Sequence, residues 1–235
     1  MSEAIEERSK GSARMTSTSS ERRQLSDEVA DDLRNRILTG ALVAGEALRV
    51  EHLAAELGVS ATPVREAMQI LRSEGFLDLA PRRGFTVATL TSQDILQVFR
   101  ARALISGELA ALSAARIDEA KLRELEELQS VIIRAFRARL HRQVEAEVRR
   151  FHRLIDEGAE APRLRWSLDA LSRFVPRHFY AHLEGDEEMT DVDHSELLVA
   201  LRERDAVAAR AVMERHVEAS GRLLADYFEA RRRER

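Results

Sequence analysis

The chain has no cysteine in its 235 residues, which excludes disulfides, thiolate chemistry and cysteine-ligated metals. It has no apolar run long enough to cross a bilayer, and its N-terminus lacks the apolar core of a signal peptide. A cytoplasmic protein is therefore expected. Nor is there an excess of positive charge. The net charge is −4, and between residues 25 and 90 seven arginines stand against ten carboxylates. This counts against binding to nucleic acid by bulk charge, although a specific site needs only a local basic face. Glycine and proline are scarce, at ten and four. What is present is 44% apolar and 33% charged residue, the balance of a helix-rich globular chain of one or two domains.

The most informative stretch is GVSATPVREAMQILR, residues 58–72. Gly58 closes a short amphipathic helix over Val50 to Leu57, as a glycine just past a helix does. Thr62 suits an N-cap and Pro63 the first helical position, where a missing N–H costs nothing. Val64, Ala67, Met68 and Leu71 then recur at helical spacing and make one apolar face. Arg65, Gln69 and Arg72 lie off it. Two short helices about a glycine turn read as a helix-turn-helix, whose second helix lies in the DNA major groove.

Gly75 ends that helix. Phe76 to Leu79 and Phe85 to Val87 are strand-like, and Pro81-Arg82-Arg83-Gly84 is a turn between them. A helix-turn-helix followed by a hairpin with two arginines at its tip is a winged helix. Ser60, Thr62, Arg65 and Arg72 on the helix, with Arg82, Arg83 and Gly84 on the wing, are the candidate DNA contacts.

Residues 1–24 are polar, without hydrophobic period, and read as a disordered tail. Ser26 is expected to cap a first helix that buries Val29, Leu33 and Ile37 and stops at Gly40. Thr89 to Ser92 is the expected linker. Beyond it Ala, Leu, Arg and Glu dominate. Helices are predicted at about 92–116, 118–138, 140–157, 162–183, 190–203 and 205–232. Thr91 with Asp94 fits a capping box, and Asp205 an N-cap. The predicted fold is mainly α: a winged helix over residues 25–90, with a small β-hairpin, and an antiparallel helical bundle over 91–235.

There are seven histidines. His52 sits in the helix-turn-helix and needs no special role. His141, His178 and His182 have no evident partners. His152, within RRFHRLI, His194, expected to begin HSELLVAL, and His216, within MERHVEA, each fall on or beside an apolar stripe. Three imidazoles directed into one bundle core could bind a divalent metal. On spacing alone, ordinary core histidines are the commoner reading.

Residues 30–87, with LRNRILTGALVAGEAL, LAAELGVSATPVREAMQIL, EGFL and PRRGFTV, resemble the winged-helix domain of GntR-type bacterial regulators. One departure is Ala61, where that family very often carries an arginine that reads a guanine edge. Alanine cannot make the bidentate bond, so altered or weakened base readout is implied. Residues 92–225, with LQVFRARALISGELAAL, FHRLI and HSELLVALRERDAVAARAVMERHVEAS, resemble the FCD effector domain of the FadR subgroup. The resemblance implies a divalent metal (zinc, nickel or similar) held by an aspartate and three histidines. His152, His194 and His216 match the histidines, but the aspartate position is Val148. Glu147 is adjacent but about 100° away around the helix. Arg102 matches an arginine that points into the effector cavity and would bind a carboxylate. Ser106 stands where relatives often carry glutamate.

These readings imply a transcription regulator that binds a palindromic operator in double-stranded DNA as a homodimer, under control of a small organic acid. Repression is the commoner sign of control in the family. A rival is a metal-dependent enzyme in which the three histidines activate water, though no general base is evident near them. A third reading is an architectural DNA-binding protein with a purely structural bundle.

Overall fold

The computed structural model describes residues 23–81, 83–176 and 186–233. Residues 1–22 of the tail, Arg82, His178, His182 and the end of the helix expected over 162–183 lie outside them. The chain divides into two compact units, residues 1–90 and 91–235.

In the first unit, α1 (residues 23–38) takes in Arg23 and Gln24, expected to belong to the tail, and buries Val29, Ala30, Leu33, Ile37 and Leu38 at helical spacing. Arg34 is buried with them and bonds Glu74 through Nε and Nη2 at 3.0 and 2.7 Å, which ties α1 to the end of the helix over Ala61–Ser73. Ser26 is not a cap. It lies inside α1, and its hydroxyl donates to Glu66. A serine followed by two carboxylates has the composition of a helix start, but this hydroxyl serves a tertiary contact instead.

Helix α2 (Val50–Leu57) ends at Gly58, whose φ of 67° and bond to the Ala54 carbonyl make the left-handed cap. Helix α3 (Ala61–Ser73) starts earlier than expected. Ser60, extended at ψ 163°, is its N-cap, not Thr62, and Pro63 falls in the third helical position. Proline is tolerated there because the first four N–H groups of a helix have no intrahelical acceptor. Pro63, Val64, Ala67, Met68 and Leu71 form the buried face. The wing strands are β2 (Leu77–Ala80), shifted one residue along from the expected Phe76 to Leu79, and β3 (Gly84–Val87), which starts one residue before the expected Phe85. Sequence reasoning missed β1 (Ala47–Leu48), which pairs antiparallel with β3 and gives the order β1-β3-β2. Two residues are too few to show alternation.

Six helices make up the described part of the second unit: α4 (Ser92–Arg116), α5 (Glu119–Arg137), α6 (His141–Gly158), α7 (Pro162–Ser172), α8 (Asp186–Arg202) and α9 (Ala206–Arg233). The capping box forms, with Thr91 and Asp94 each accepting from the other's backbone N–H. Asp205 accepts from the N–H groups of Val207 and Ala208. Ser92 belongs to α4, not to the linker. Helix α8 begins four residues before its expected start, so His194 lies beyond its second turn and does not begin it.

Helix α4 is central. Seven of its residues between Ser106 and Ala114 are buried, around most of its circumference. It runs antiparallel to α9, with Arg100 paired to Glu218 and Arg210 to Glu108. Gly221 lets the two approach, since a Cβ there would stand 2.5 Å from the Phe99 Cβ. Helix α7 starts on Pro162 but ends at Ser172, well short of the expected 183, because Pro176 disfavours helical backbone before it; it turns Leu168 inward and leaves Trp166 70% exposed.

Candidate DNA-reading helix and three-histidine centre

On α3 the buried stripe leaves the opposite face to solvent. Ser60, Ala61, Thr62, Arg65, Gln69 and Arg72 are all exposed on it. Ala61, Thr62, Arg65 and Gln69 line a surface cleft with Arg23 of α1. Gln69 shares this face with the predicted contacts. Its signal was its place off the apolar stripe. On the wing, Arg83 and Gly84 are exposed, and Gly84 takes φ +72°, a turn conformation costly for other residues.

The unit's charge balance explains how an acidic segment can carry a basic face. Arg34 is paired with Asp31 and Glu74, and Arg36 with Asp32 and Glu56. Those four carboxylates are thus engaged internally. Among the described residues, Arg65, Arg72 and Arg83 enter no ion pair.

In the bundle, His152 of α6, His194 of α8 and His216 of α9 meet. A ligand nitrogen from each lies within 4.8 Å of the other two. Ring centroids are 5.0 to 5.2 Å apart, and His194 stacks on Phe151 at 4.1 Å. Burial pushes the imidazoles of His152 and His194 well below the ordinary histidine range. His216 adds to this for both, as does Arg102 for His152. Both are neutral near pH 7, the form that ligates metal.

Their tautomers follow from the groups behind them. Gln129 Nε2 donates to Asp191 at 3.1 Å. Its Oε1 therefore faces His194 Nδ1, 2.8 Å away, and Nδ1 must carry the proton. His194 Nε2 is left buried without a hydrogen-bond partner and with its lone pair toward the other histidines. His216 Nδ1 meets Asp193 Oδ2 at 3.2 Å, so His216 too presents Nε2. Burial works against ionised Asp193, but hydrogen bonds from His216 and Arg215 hold its carboxyl below the usual range. Sequence reasoning missed both Gln129 and Asp193. Asp193 could have been found as a carboxylate next to a candidate ligand, and Gln129 had no signal.

The donor set fits a divalent ion that accepts nitrogen ligands: three neutral imidazoles, one with an orphaned buried nitrogen. Val148 is 1% exposed in the apolar core and offers no oxygen. Glu147 turns toward Arg150.

Beside the histidines lies a cavity of about 350 Å³ lined by Phe99, Arg102, Glu145, His152, Asp156 and His216, among others. The Arg102 guanidinium stands over the Phe99 ring at 4.5 Å. Ser106 also lines the cavity. Burial, and then Asp169, push the Asp156 carboxyl up from 3.8 to about 7. A carboxyl whose pKa is raised on folding destabilises the fold as pH rises, because the unfolded chain loses its proton first. Asp156→Asn should therefore keep stability that the wild type loses between about pH 4 and 7, on the order of 4 kcal/mol. Urea midpoints of both proteins, measured at the two ends of that window, check this.

A winged helix carried in one chain with an all-helical bundle is the build of a DNA-binding regulatory protein. Residues 25–87 match the bacterial regulatory proteins of the gntR family, and residues 97–219 match the FCD domain. The chain belongs to the GntR family of bacterial regulatory proteins and carries an FCD domain in its bundle. It is 31% identical over 106 residues to the uncharacterized HTH-type transcriptional regulator YdhC of Bacillus subtilis, covering 43% of this chain and 47% of that protein. It is 36% identical over 101 residues to the HTH-type transcriptional regulator McbR of Escherichia coli, covering 43% and 46%. The matched stretch thus spans about half the length of these relatives. The solved structure of Escherichia coli McbR/YncC superposes with a TM-score of 0.67 at 26% identity, over 86% of this chain and 97% of that one. Family and relatives are regulators, and the metalloenzyme reading finds no support in them.

Proposed function

We propose that this chain represses transcription as a cytoplasmic homodimer whose two winged helices read a palindromic operator, and that a small organic acid bound in the bundle controls it. Ser60, Thr62, Arg65 and Arg72 enter the major groove, and Arg82, Arg83 and Gly84 follow the backbone beside it. His152, His194 and His216 hold a divalent ion of the zinc or nickel kind. Such an ion, with three neutral ligands, keeps its full charge and open positions for carboxylate oxygens. Arg102 binds the acid's carboxylate from the cavity wall. The observation that carries this reading is the orphaned His194 Nε2 directed at two other imidazoles beside a cavity. An acid that binds one arrangement of the bundle better than another shifts operator affinity by that difference.

The test begins with selection of bound sequences from a random duplex library by the purified chain. Operator affinity is then titrated with zinc, nickel and a panel of hydroxy and dicarboxylic acids. A selected palindrome whose affinity changes with one acid, only when metal is present, supports the reading. No selected motif, or a motif indifferent to every metal and acid, speaks for a structural bundle. Arg82→Ala and Arg83→Ala should weaken all duplexes alike and each lower the salt slope by about one, as phosphate contacts do.

A further inference from the structure

Val148 leaves the three-histidine centre with no negative charge among its ligands, yet a carboxylate stands directly behind one of them. Asp193 Oδ2 accepts from His216 Nδ1 at 3.2 Å, which leaves Nε2 of that ring for the centre. Asp193 Oδ1 accepts from Arg215 Nε and Nη2 at 3.2 and 2.8 Å. Asp193 is buried, and it precedes His194 in the chain. One turn of α8 thus supplies a ligand to the centre and a carboxylate to a second ligand on α9.

We propose that Asp193 is the positioning residue of this centre: it fixes the tautomer and orientation of His216 and supplies, through that ring, the negative charge that no ligand carries. The proposal rests on the metal reading above. A carboxylate on Nδ1–H makes Nε2 a stronger donor, because positive charge drawn onto the ring by a metal is shared with the carboxylate. Gln129 does the geometric part of this for His194 without charge, since its amide oxygen accepts but is neutral. The two ligands are therefore unequal: His216 is the strong donor and His194 the weak one. Arg215 bonds Oδ1 alone and leaves Oδ2 to His216. It is half exposed and already shared with Glu196, so it neutralises Asp193 only in part.

The competing account is that Asp193 merely ties α8 to α9 through Arg215. Two variants separate the accounts. Asp193→Asn keeps the size and one acceptor oxygen and removes the charge. Arg215→Met breaks the tie and leaves Asp193 facing His216. Both should fold, because α8 is held by buried Leu197, Ala200 and Leu201. Each full-length protein is stripped with chelator and titrated with cobalt(II), then zinc(II), following the cobalt ligand-field absorption. Asp193→Asn should bind both ions about 10- to 100-fold more weakly and shift the cobalt spectrum. Arg215→Met should match the wild type in affinity and spectrum while losing some thermal stability. Asp193→Glu, which keeps the charge, should recover part of the affinity; if Asp193→Asn does not fold, Asp193→Ser, which also removes the charge, takes its place. Equal affinity of wild type and Asp193→Asn would overturn the proposal and leave the metal reading standing. An equal loss in Arg215→Met would assign Asp193 to the tie. A wild type that binds neither ion would overturn both readings.

Discussion

Val148→Asp is expected to turn a chain that folds without metal into one that needs it. Val148 sits one turn before His152 on α6 and is buried among Phe151, Ile155 and the rest of the bundle core. A carboxylate placed there without a cation is a buried unpaired charge and should cost roughly 3–5 kcal/mol. A divalent ion on the three histidines would neutralise it at direct range. Metal affinity should then rise on the order of tenfold to a hundredfold over the wild type. The dependence of metal binding on an acid should fall, because the protein now carries the charge that the acid otherwise brings. Thermal melts of both proteins with chelator and with zinc, together with a competition titration, measure all three effects. A metal-free variant as stable as the wild type, or one whose stability ignores zinc, would mean that residue 148 does not face the centre.

Arg65→Ala should lower affinity for the selected operator by about 1–3 kcal/mol, up to roughly a hundredfold, and relax preference at one base pair. Arg65 lies in the second turn of α3 on its exposed face, and no ion pair among the described residues holds it there. Its removal should leave the fold unchanged, because the stripe that packs α3 is Val64, Ala67, Met68 and Leu71. With alanine at position 61, this arginine is expected to carry a larger share of direct readout than it would beside a second one. A shift assay on the operator and on single-base variants gives the answer. Unchanged affinity and unchanged preference would remove Arg65 from the interface.

The winged helix was legible because its signals are local. Gly58 needs a left-handed backbone, and the stripe from Val64 to Leu71 repeats at 3.6 residues. Arg82 to Gly84 falls between two short apolar runs. Its errors were local too. Ser26 and Thr62 have cap chemistry, but one hydroxyl was claimed by Glu66, and Ser60 preceded the other. Strand β1 is defined by its pairing to β3, about forty residues on. In the bundle the helices were visible from composition, and the three histidines from their nearness to apolar stripes. The groups that orient them were not. Gln129 and His194 are 65 residues apart in sequence, and no periodicity links two positions that meet only when α5 packs on α8.

Trp166 is the sole tryptophan of the chain, and it stands in water on α7, the helix that also sends Leu168 and Asp169 toward the cavity. The protein therefore contains its own optical probe. Its intrinsic fluorescence comes from one indole with the long-wavelength emission of a hydrated ring, undiluted by any other. A blue shift would report that something has covered α7, and a change in intensity at constant wavelength that α7 has moved beneath it. Neither requires a label.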